Sequence, residues 1–92
     1  MDKISIIIVH YNTDQDTREC LESLSQLETG EFEYQVLVVD NASKEPFVLP
    51  KQTSKNVQLI RSDTNLGFTG GNNLGLATAS KNYNTDFFLL LN

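Results

Sequence analysis

The chain has few of the residues that mark several common classes of protein. It has no tryptophan and one cysteine, Cys20, so it cannot form an internal disulfide. No apolar run approaches the ~20 residues that a membrane-spanning helix needs, and no basic run offers the clustered positive charge that duplex nucleic acid requires. With a formal net charge of -5 and 39% hydrophobic residues in 92 positions, the sequence indicates one small water-soluble domain, and the unpaired cysteine favours the cytoplasm.

Four short apolar runs predict β-strands. Ile4–Val9 and Val36–Val39 are nearly continuous β-branched segments, Val57–Ile60 is a third run, and Phe87–Leu91 is a fourth. Continuous apolar sequence is typical of parallel strands that are covered on both faces. The first run leads into Tyr and Asn without a small-residue cleavage site, so it is interpreted as a strand rather than a signal peptide.

Helical stretches are predicted between these strands. The first helix is predicted to be capped by Asp14 or Asp16 and to end at Gly30. Residues 41–56 contain both prolines and no periodicity, which predicts a loop with at most one turn of helix. The apolar positions of the first helix are Cys20, Leu21, Leu24 and Leu27. A second helix is predicted around Leu74, Leu76, Ala77 and Ala79. Strands that alternate with helices predict an α/β fold with a mostly parallel sheet of about four strands.

Polar residues follow every predicted strand. These exits read HYN at 10–12, DNAS at 40–43, RSDTN at 61–65 and Asn92 at the last position. Any one exit alone is more simply explained as an ordinary turn or helix cap. Because ligands of open parallel sheets bind beyond the carboxyl ends of the strands, the four exits together favour a binding site at that edge.

The stretch NLGFTGGNNLG, residues 65–75, combines closely spaced glycines with three asparagines. Glycines allow the backbone to approach a phosphate closely, and a helix N-terminus supplies free N–H groups. The stretch does not match a GxGxxG fingerprint, because Thr69 stands two places after Gly67. It is not a Walker A loop either, because Leu76 and Ala77 occupy the places of the Lys and Ser/Thr. A tight turn with close helix–sheet packing explains the glycines equally well.

The segments IIIVHYN, VLVVDNAS, NLGFTGGNNLGL and FFLLLN, in this order and spacing, resemble the N-terminal half of family 2 glycosyltransferases with the GT-A fold. The likeness covers essentially the whole chain and is closest to bacterial rhamnosyltransferase-like members. It implies that residues 1–92 form one Rossmann-like, three-layer, nucleotide-sugar-binding half of that fold. It further implies transfer of a sugar from a nucleoside diphosphate to an acceptor hydroxyl, commonly in the synthesis of cell-surface polysaccharide or lipopolysaccharide.

The resemblance assigns roles to individual residues. Asp40 matches the acid that contacts the base; a carboxylate only accepts hydrogen bonds, which suits the N3–H of uracil or thymine and favours a UDP- or dTDP-sugar. Tyr11 and Asn12 match the loop along the base and ribose, with Tyr11 suited to stacking. The predicted nucleotide-sugar site comprises Tyr11, Asn12, Asp40, Asn41, Ser43, Asn65, Gly67, Asn73 and Asn92.

The resemblance also implies a divalent metal, Mg²⁺ or Mn²⁺, in the full-length enzyme. Asn92 matches the first position of the family's metal motif, while the metal-ligating Asp, the general base and the half that binds a saccharide or lipid-linked acceptor are expected beyond residue 92. We therefore expect a truncated piece of a longer cytoplasmic enzyme, and any attachment to the inner face of the membrane would be made by the missing part of that enzyme. We expect it to be inactive alone, without a bound metal, and to self-associate through the exposed edge of FFLLL.

Non-enzymatic α/β modules of the receiver or flavodoxin type are the alternative. A receiver would carry paired acids after its first strand and an Asp after its third, and a flavodoxin would carry a Ser/Thr-rich phosphate loop after its first strand; neither pattern is present. An NAD-binding unit is disfavoured by the missing glycine fingerprint. His10 is interpreted as a packed or capping residue and Cys20 as a small core residue.

Overall fold

Within residues 1–91 the sheet consists of four parallel strands, as the apolar runs predict. The computed structural model describes residues 1–91. Its elements are β1 (Asp2–His10), α1 (Asp14–Ser25), β2 (Phe32–Asn41), β3 (Val57–Ser62), α2 (Gly67–Asn82) and β4 (Phe87–Leu91), and the strand order is β3-β2-β1-β4. The inner strands are β1 and β2. They have the most continuous β-branched sequence, because an inner strand of a parallel sheet is covered on both faces.

Three layers follow from the alternation of side chains along these inner strands. Ile6 and Ile8 of β1 pack with Val36 and Val38 of β2 on the face covered by Leu21 of α1. The segment after β2 completes this layer with Phe47. On the opposite face, Ile7, Leu37 and Val39 pack against Ala79 of α2. The Rossmann-like three-layer prediction is confirmed.

The first helix differs from its prediction at both ends. The N-cap position is Thr13, which makes no side-chain capping bond, while Asp14 and Asp16 lie inside the first turn. Their carboxylates are favourable there because the N-terminal end of a helix is electropositive. The helix ends at Ser25 rather than near Gly30, so Leu27 lies outside it and is exposed. The predicted capping by Asp14 or Asp16 and the stop at Gly30 are wrong.

The second helix begins earlier than its apolar residues suggest. It starts at Gly67, so Gly70, Gly71 and Gly75 are helical. A Cβ built on Gly75 would lie 2.5 Å from Cγ2 of Ile7, and one on Gly71 would lie 2.9 Å from Cγ1 of Val9. These two glycines therefore serve close helix–sheet packing, one of the two readings that the sequence leaves open. Residues 42–56 contain no helix, as predicted.

Candidate functional site

The carboxyl ends of three strands meet side by side. In the parallel register His10 of β1 stands opposite Asp40 of β2, and Asp40 stands opposite Arg61 of β3. Adjacent strands in a sheet are about 4.8 Å apart, so the loops that leave these strands are neighbours. Three of the four polar exits predicted from the sequence are thus brought together at the carboxyl edge of the sheet, and the fourth, Asn92, lies outside the described residues.

Asp40 is buried at this edge, with 1% of its surface exposed. Its Oδ1 accepts the backbone N–H of Ser43 at 3.1 Å, and its Oδ2 accepts the backbone N–H of Phe47 at 2.8 Å and Nη1–H of Arg61 at 2.7 Å. Burial alone would raise the pKa of this carboxyl group, but the hydrogen bonds from Phe47 and Ser43 and the positive charge of Arg61 outweigh it, and the pKa is lowered. Asp40 is therefore a charged group whose oxygens are both engaged within the protein.

Arg61 joins the candidate site in the structure, although it is absent from the set predicted from the sequence. Its Nη2 donates to the carbonyl oxygen of Ser43 at 3.0 Å, in addition to the Nη1 bond to Asp40. The side chain retains 36% of its surface exposed. The sequence shows an acid at the end of one predicted strand and an arginine at the end of the next, but the two meet only because β2 and β3 are neighbours in a register that pairs Asp40 with Arg61. Because both Nη atoms are held by acceptors and part of the side chain remains exposed, the guanidinium can donate a further hydrogen bond to a ligand at this edge.

Asn41 leaves the opposite face of β2 and holds the loop before α2. Its Nδ2 donates to Oδ1 of Asn65 at 3.1 Å and to the carbonyl oxygen of Gly67 at 3.0 Å, while its Oδ1 accepts the N–H of Leu66 at 2.8 Å. Gly67 has a φ of +73°, a conformation that glycine adopts without a Cβ penalty. The side chains of Asn41 and Asn65 thus shape the N-terminal end of α2.

Asn12 and Ser43 connect the loops after β1 and β2. The N–H of Asn12 donates to Oγ of Ser43 at 2.9 Å, and Oδ1 of Asn12 accepts the N–H of Lys44 at 2.8 Å. Asn12 and Ala42 have φ values of 54° and 65°, in the left-handed region that is uncommon for residues other than glycine. The reciprocal bonds hold both loops in this conformation.

The remaining predicted residues differ in their accessibility. Tyr11 is 46% exposed, at the edge beside Asn12. Asn73 is exposed on α2, whereas its neighbour Asn72 is 4% exposed and donates from Nδ2 to the carbonyl oxygen of Phe68. Asn92 lies outside the described residues. The structure therefore gathers most of the predicted set at the three exits and sets Asn73 on the helix surface.

His10 is a packed residue, as predicted. It is fully buried; Nδ1 and Oγ1 of Thr17 are hydrogen-bonded at 2.6 Å, and the ring lies 4.4 Å from the ring of Phe47, centre to centre. Its Nε2 approaches Oδ1 of Asp14 to 3.1 Å without hydrogen-bond geometry. Cys20 packs at the margin of the core under α1, where burial raises the pKa of its thiol. Both residues support α1 rather than face the edge.

Residues 1–91 do not supply a complete metal site. No group of three His, Cys, Asp or Glu side chains within this part of the chain could hold an ion. The carboxylate best placed at the edge, Asp40, is already occupied by three N–H donors. Over the same residues, no helix is long and apolar enough to span a bilayer.

The fold defines a Rossmann-like α/β domain whose polar residues gather where proteins of this class bind ligands. Residues 5–89 match the family described as glycosyl transferase family 2, and the chain belongs to that family.

Similar proteins come from bacteria and an archaeon. A protein described as an uncharacterized glycosyltransferase from Haemophilus influenzae is 38% identical over 83% of this chain and 25% of its own length. A hexosyltransferase of low-salt glycan biosynthesis from Haloferax volcanii is 32% identical over 100% of this chain and 28% of its own. A teichoic acid poly(glycerol phosphate) polymerase from Staphylococcus epidermidis is 30% identical over 99% of this chain and 12% of its own length. The chain thus spans between 12% and 28% of the length of these relatives.

Proposed function

We propose that this chain is the part of a glycosyltransferase that binds the nucleotide of a UDP-sugar or dTDP-sugar. The observation that carries the proposal is the joined edge: side-chain hydrogen bonds connect the loops after β1, β2 and β3, while Tyr11 stays exposed beside them. Three connected loops form a preorganised rim, which lowers the entropic cost of holding a ligand. The family match favours this function over a receiver or flavodoxin module.

The exposed ring of Tyr11 is proposed to stack on the pyrimidine base. An aromatic side chain that keeps about half of its surface exposed beside a polar rim is available for such a contact. Asn12 supports it from the next position, because its side chain and backbone are both bonded to the β2 exit. Asn41, Ser43, Asn65 and Gly67 are proposed to shape the nucleotide-binding surface, with Asn73 on the neighbouring helix. Asn92, outside the described residues, keeps its predicted place as the first position of the family's metal motif.

Asp40 was predicted to accept the N3–H of the base. Its oxygens accept three N–H groups of the protein, so that direct contact would require the base to displace a donor or to share an oxygen with one. We propose that Asp40 contributes chiefly by holding the exit loop and Arg61 in place. Asp40→Ala is expected to abolish most nucleotide binding, because it releases both.

For the whole protein, we propose transfer of a hexosyl group to a hydroxyl of a saccharide or lipid-linked acceptor in cell-surface polysaccharide synthesis. The Haloferax volcanii and Staphylococcus epidermidis relatives, named for glycan and teichoic acid synthesis, support this class of product. Mg²⁺ or Mn²⁺, when bound, would stabilise the leaving diphosphate as a Lewis acid. We further propose that the protein works in the cytoplasm, where it would meet its donor, and that these 92 residues alone do not transfer sugar.

Nucleotide titrations test the proposal. We expect the ¹H–¹⁵N spectrum of the chain to shift at Tyr11, Asn12 and Ser43 with UDP or dTDP, and less with CDP or GDP. Tyr11→Ala should weaken UDP binding about tenfold, because base–aromatic stacking contributes about 1–3 kcal/mol. Tyr11→Phe, which keeps the ring, is the matched control and should bind nearly as the parent chain does. Absence of any shift at the edge with saturating UDP would contradict the proposed function.

A further inference from the structure

The guanidinium of Arg61 is held in place by two acceptors. Nη1 donates to Oδ2 of Asp40 at 2.7 Å and Nη2 donates to the carbonyl oxygen of Ser43 at 3.0 Å. Asp40 is itself fixed by the N–H groups of Ser43 and Phe47. A guanidinium carries five N–H donors, so the group retains donors after both bonds are made, and 36% of the side chain remains exposed. Arg61 is thus a preorganised donor at an open edge.

The position of Arg61 in the sheet decides which part of a nucleotide it could meet. This step rests on the proposed function. Tyr11, the proposed stacking partner of the base, is 46% exposed, and its neighbour Asn12 donates its N–H to Oγ of Ser43 at 2.9 Å. Arg61 donates to the carbonyl oxygen of the same Ser43 at 3.0 Å. The guanidinium and the loop that carries Tyr11 therefore meet at one residue, and a base stacked on Tyr11 is the part of the nucleotide that lies toward Arg61.

We propose that Arg61 is a specificity-determining residue that recognises the pyrimidine base by donating a hydrogen bond to its carbonyl oxygen O4. Uracil and thymine carry an acceptor at this position, whereas cytosine carries an amino group, which is a donor. An N–H of Arg61 facing that amino group would place two donors against each other. The arrangement selects UDP- and dTDP-sugars over CDP-sugars.

Asp40 is the positioning residue in this arrangement. Its carboxylate fixes the direction of the guanidinium, and its charge, retained because its pKa is lowered, keeps the pair intact at neutral pH. Asp40 can therefore contribute to selection of the base although it is buried. It acts through Arg61 and does not need a free carboxylate oxygen. Lysine could not replace Arg61 here, since an ammonium group lacks the planar fork that engages two acceptors and still points outward.

The test compares UDP with CDP on variants of the chain. Arg61→Gln and Arg61→Lys are measured beside Lys44→Gln, which removes an exposed cation of the same edge whose hydrogen bond to Asn12 is made by its backbone N–H. One lost charge-assisted hydrogen bond corresponds to about tenfold in affinity. We expect both Arg61 variants to bind UDP about tenfold more weakly and CDP about as the parent chain does, and Lys44→Gln to keep the preference for UDP.

A second measurement needs no variant and remains informative if the Arg61 variants unfold. The Nε–Hε signal of Arg61 in the parent chain should shift with uridine, which has no phosphate, and much less with cytidine. An equal loss of UDP and CDP affinity in Arg61→Gln, or an Nε–Hε signal that moves only with phosphate-bearing ligands, would overturn the inference and assign Arg61 to charge neutralisation. If the parent chain binds UDP and no Arg61 variant alters its preference over CDP, the inference fails while the proposed function stands.

Discussion

Asp40 and Asn41, neighbours at the end of β2, hold loops on opposite faces of the sheet. Asp40 binds the segment that contains Ser43 and Phe47 on the α1 side, and Asn41 binds the loop before α2. The division follows from the two-residue period of a strand, which sends successive side chains to opposite faces. One inner strand thereby connects both halves of the candidate site.

Asn41→Ala is expected to destabilise the chain by about 2 kcal/mol, because it leaves the N–H of Leu66 and the carbonyl oxygen of Gly67 without their side-chain partner. Urea unfolding followed by circular dichroism measures the change. Asn73→Ala, at an exposed asparagine of α2, is the control and should stay within about 0.5 kcal/mol of the parent. Equal stability of the two variants would show that the Asn41 bonds contribute nothing net.

Asp40 should make the stability of the fold depend on acid pH. Because its pKa in the folded chain is lowered, the stabilisation is complete above the ordinary Asp pKa of about 3.9 and is lost as the pH falls through the folded value. Asp40→Asn should lower the free energy of unfolding at neutral pH and flatten its decline in acid. Unfolding in urea at several pH values checks this.

The control for the acid dependence is Asp63→Asn, at an exposed acid in the loop after β3. This variant should keep the acid decline of the parent chain. An unchanged slope in Asp40→Asn would mean that other carboxyl groups cause the decline.

Gly75→Ala should destabilise the chain by about 1–3 kcal/mol, the usual range for overpacking. The new Cβ would lie 2.5 Å from Cγ2 of Ile7 and 3.2 Å from Cγ2 of Val39, both in the buried core between the sheet and α2. Gly30→Ala provides the comparison, because a Cβ there meets nothing within 4 Å. Thermal melts distinguish the two, and a Gly75→Ala melting temperature at or above that of the parent would refute the packing role.

Self-association through β4 is a further prediction. Phe87, Phe88, Leu89 and Leu90 are exposed, and β4 pairs with β1 along one side, while its other side has no strand partner among residues 1–91. Unpaired strand edges with apolar side chains recruit further strands. Sedimentation velocity should show a concentration-dependent oligomer that Leu89→Lys disperses. Val48→Lys, at an exposed apolar residue outside the strands, should leave it intact; a monomer at high concentration would contradict the prediction.

The strands could be predicted because their apolar runs are short, and in the buried inner strands β1 and β2 they are also rich in β-branched residues. The start of α2 could not, because glycine is a poor helix former and the gain that offsets it, contact of Gly75 with Ile7, involves a distant strand. The polar exits predicted a cluster of polar side chains at the carboxyl ends of the strands, and three of these exits lie side by side there. Their mutual contacts depend on strand register, which the sequence alone leaves open, and for that reason Arg61 was missed.

Asn73 illustrates a second limit. Adjacent positions on a helix differ by about 100° in direction, so the choice between Asn72 and Asn73 depends on the rotation of α2 about its axis. That rotation is set by Gly71 and Gly75 lying against the sheet, which places Asn72 inside and Asn73 outside.

Because the rim is anchored by the last two residues of an inner strand, its assembly cannot be separated from completion of the core. Any substitution that loosens the pairing of β2 with its neighbours would also disconnect the three loops of the rim. Ligand affinity would then fall together with conformational stability. Nucleotide affinity in this chain would therefore report on the integrity of its central strand, and variants far from the ligand would appear as binding defects.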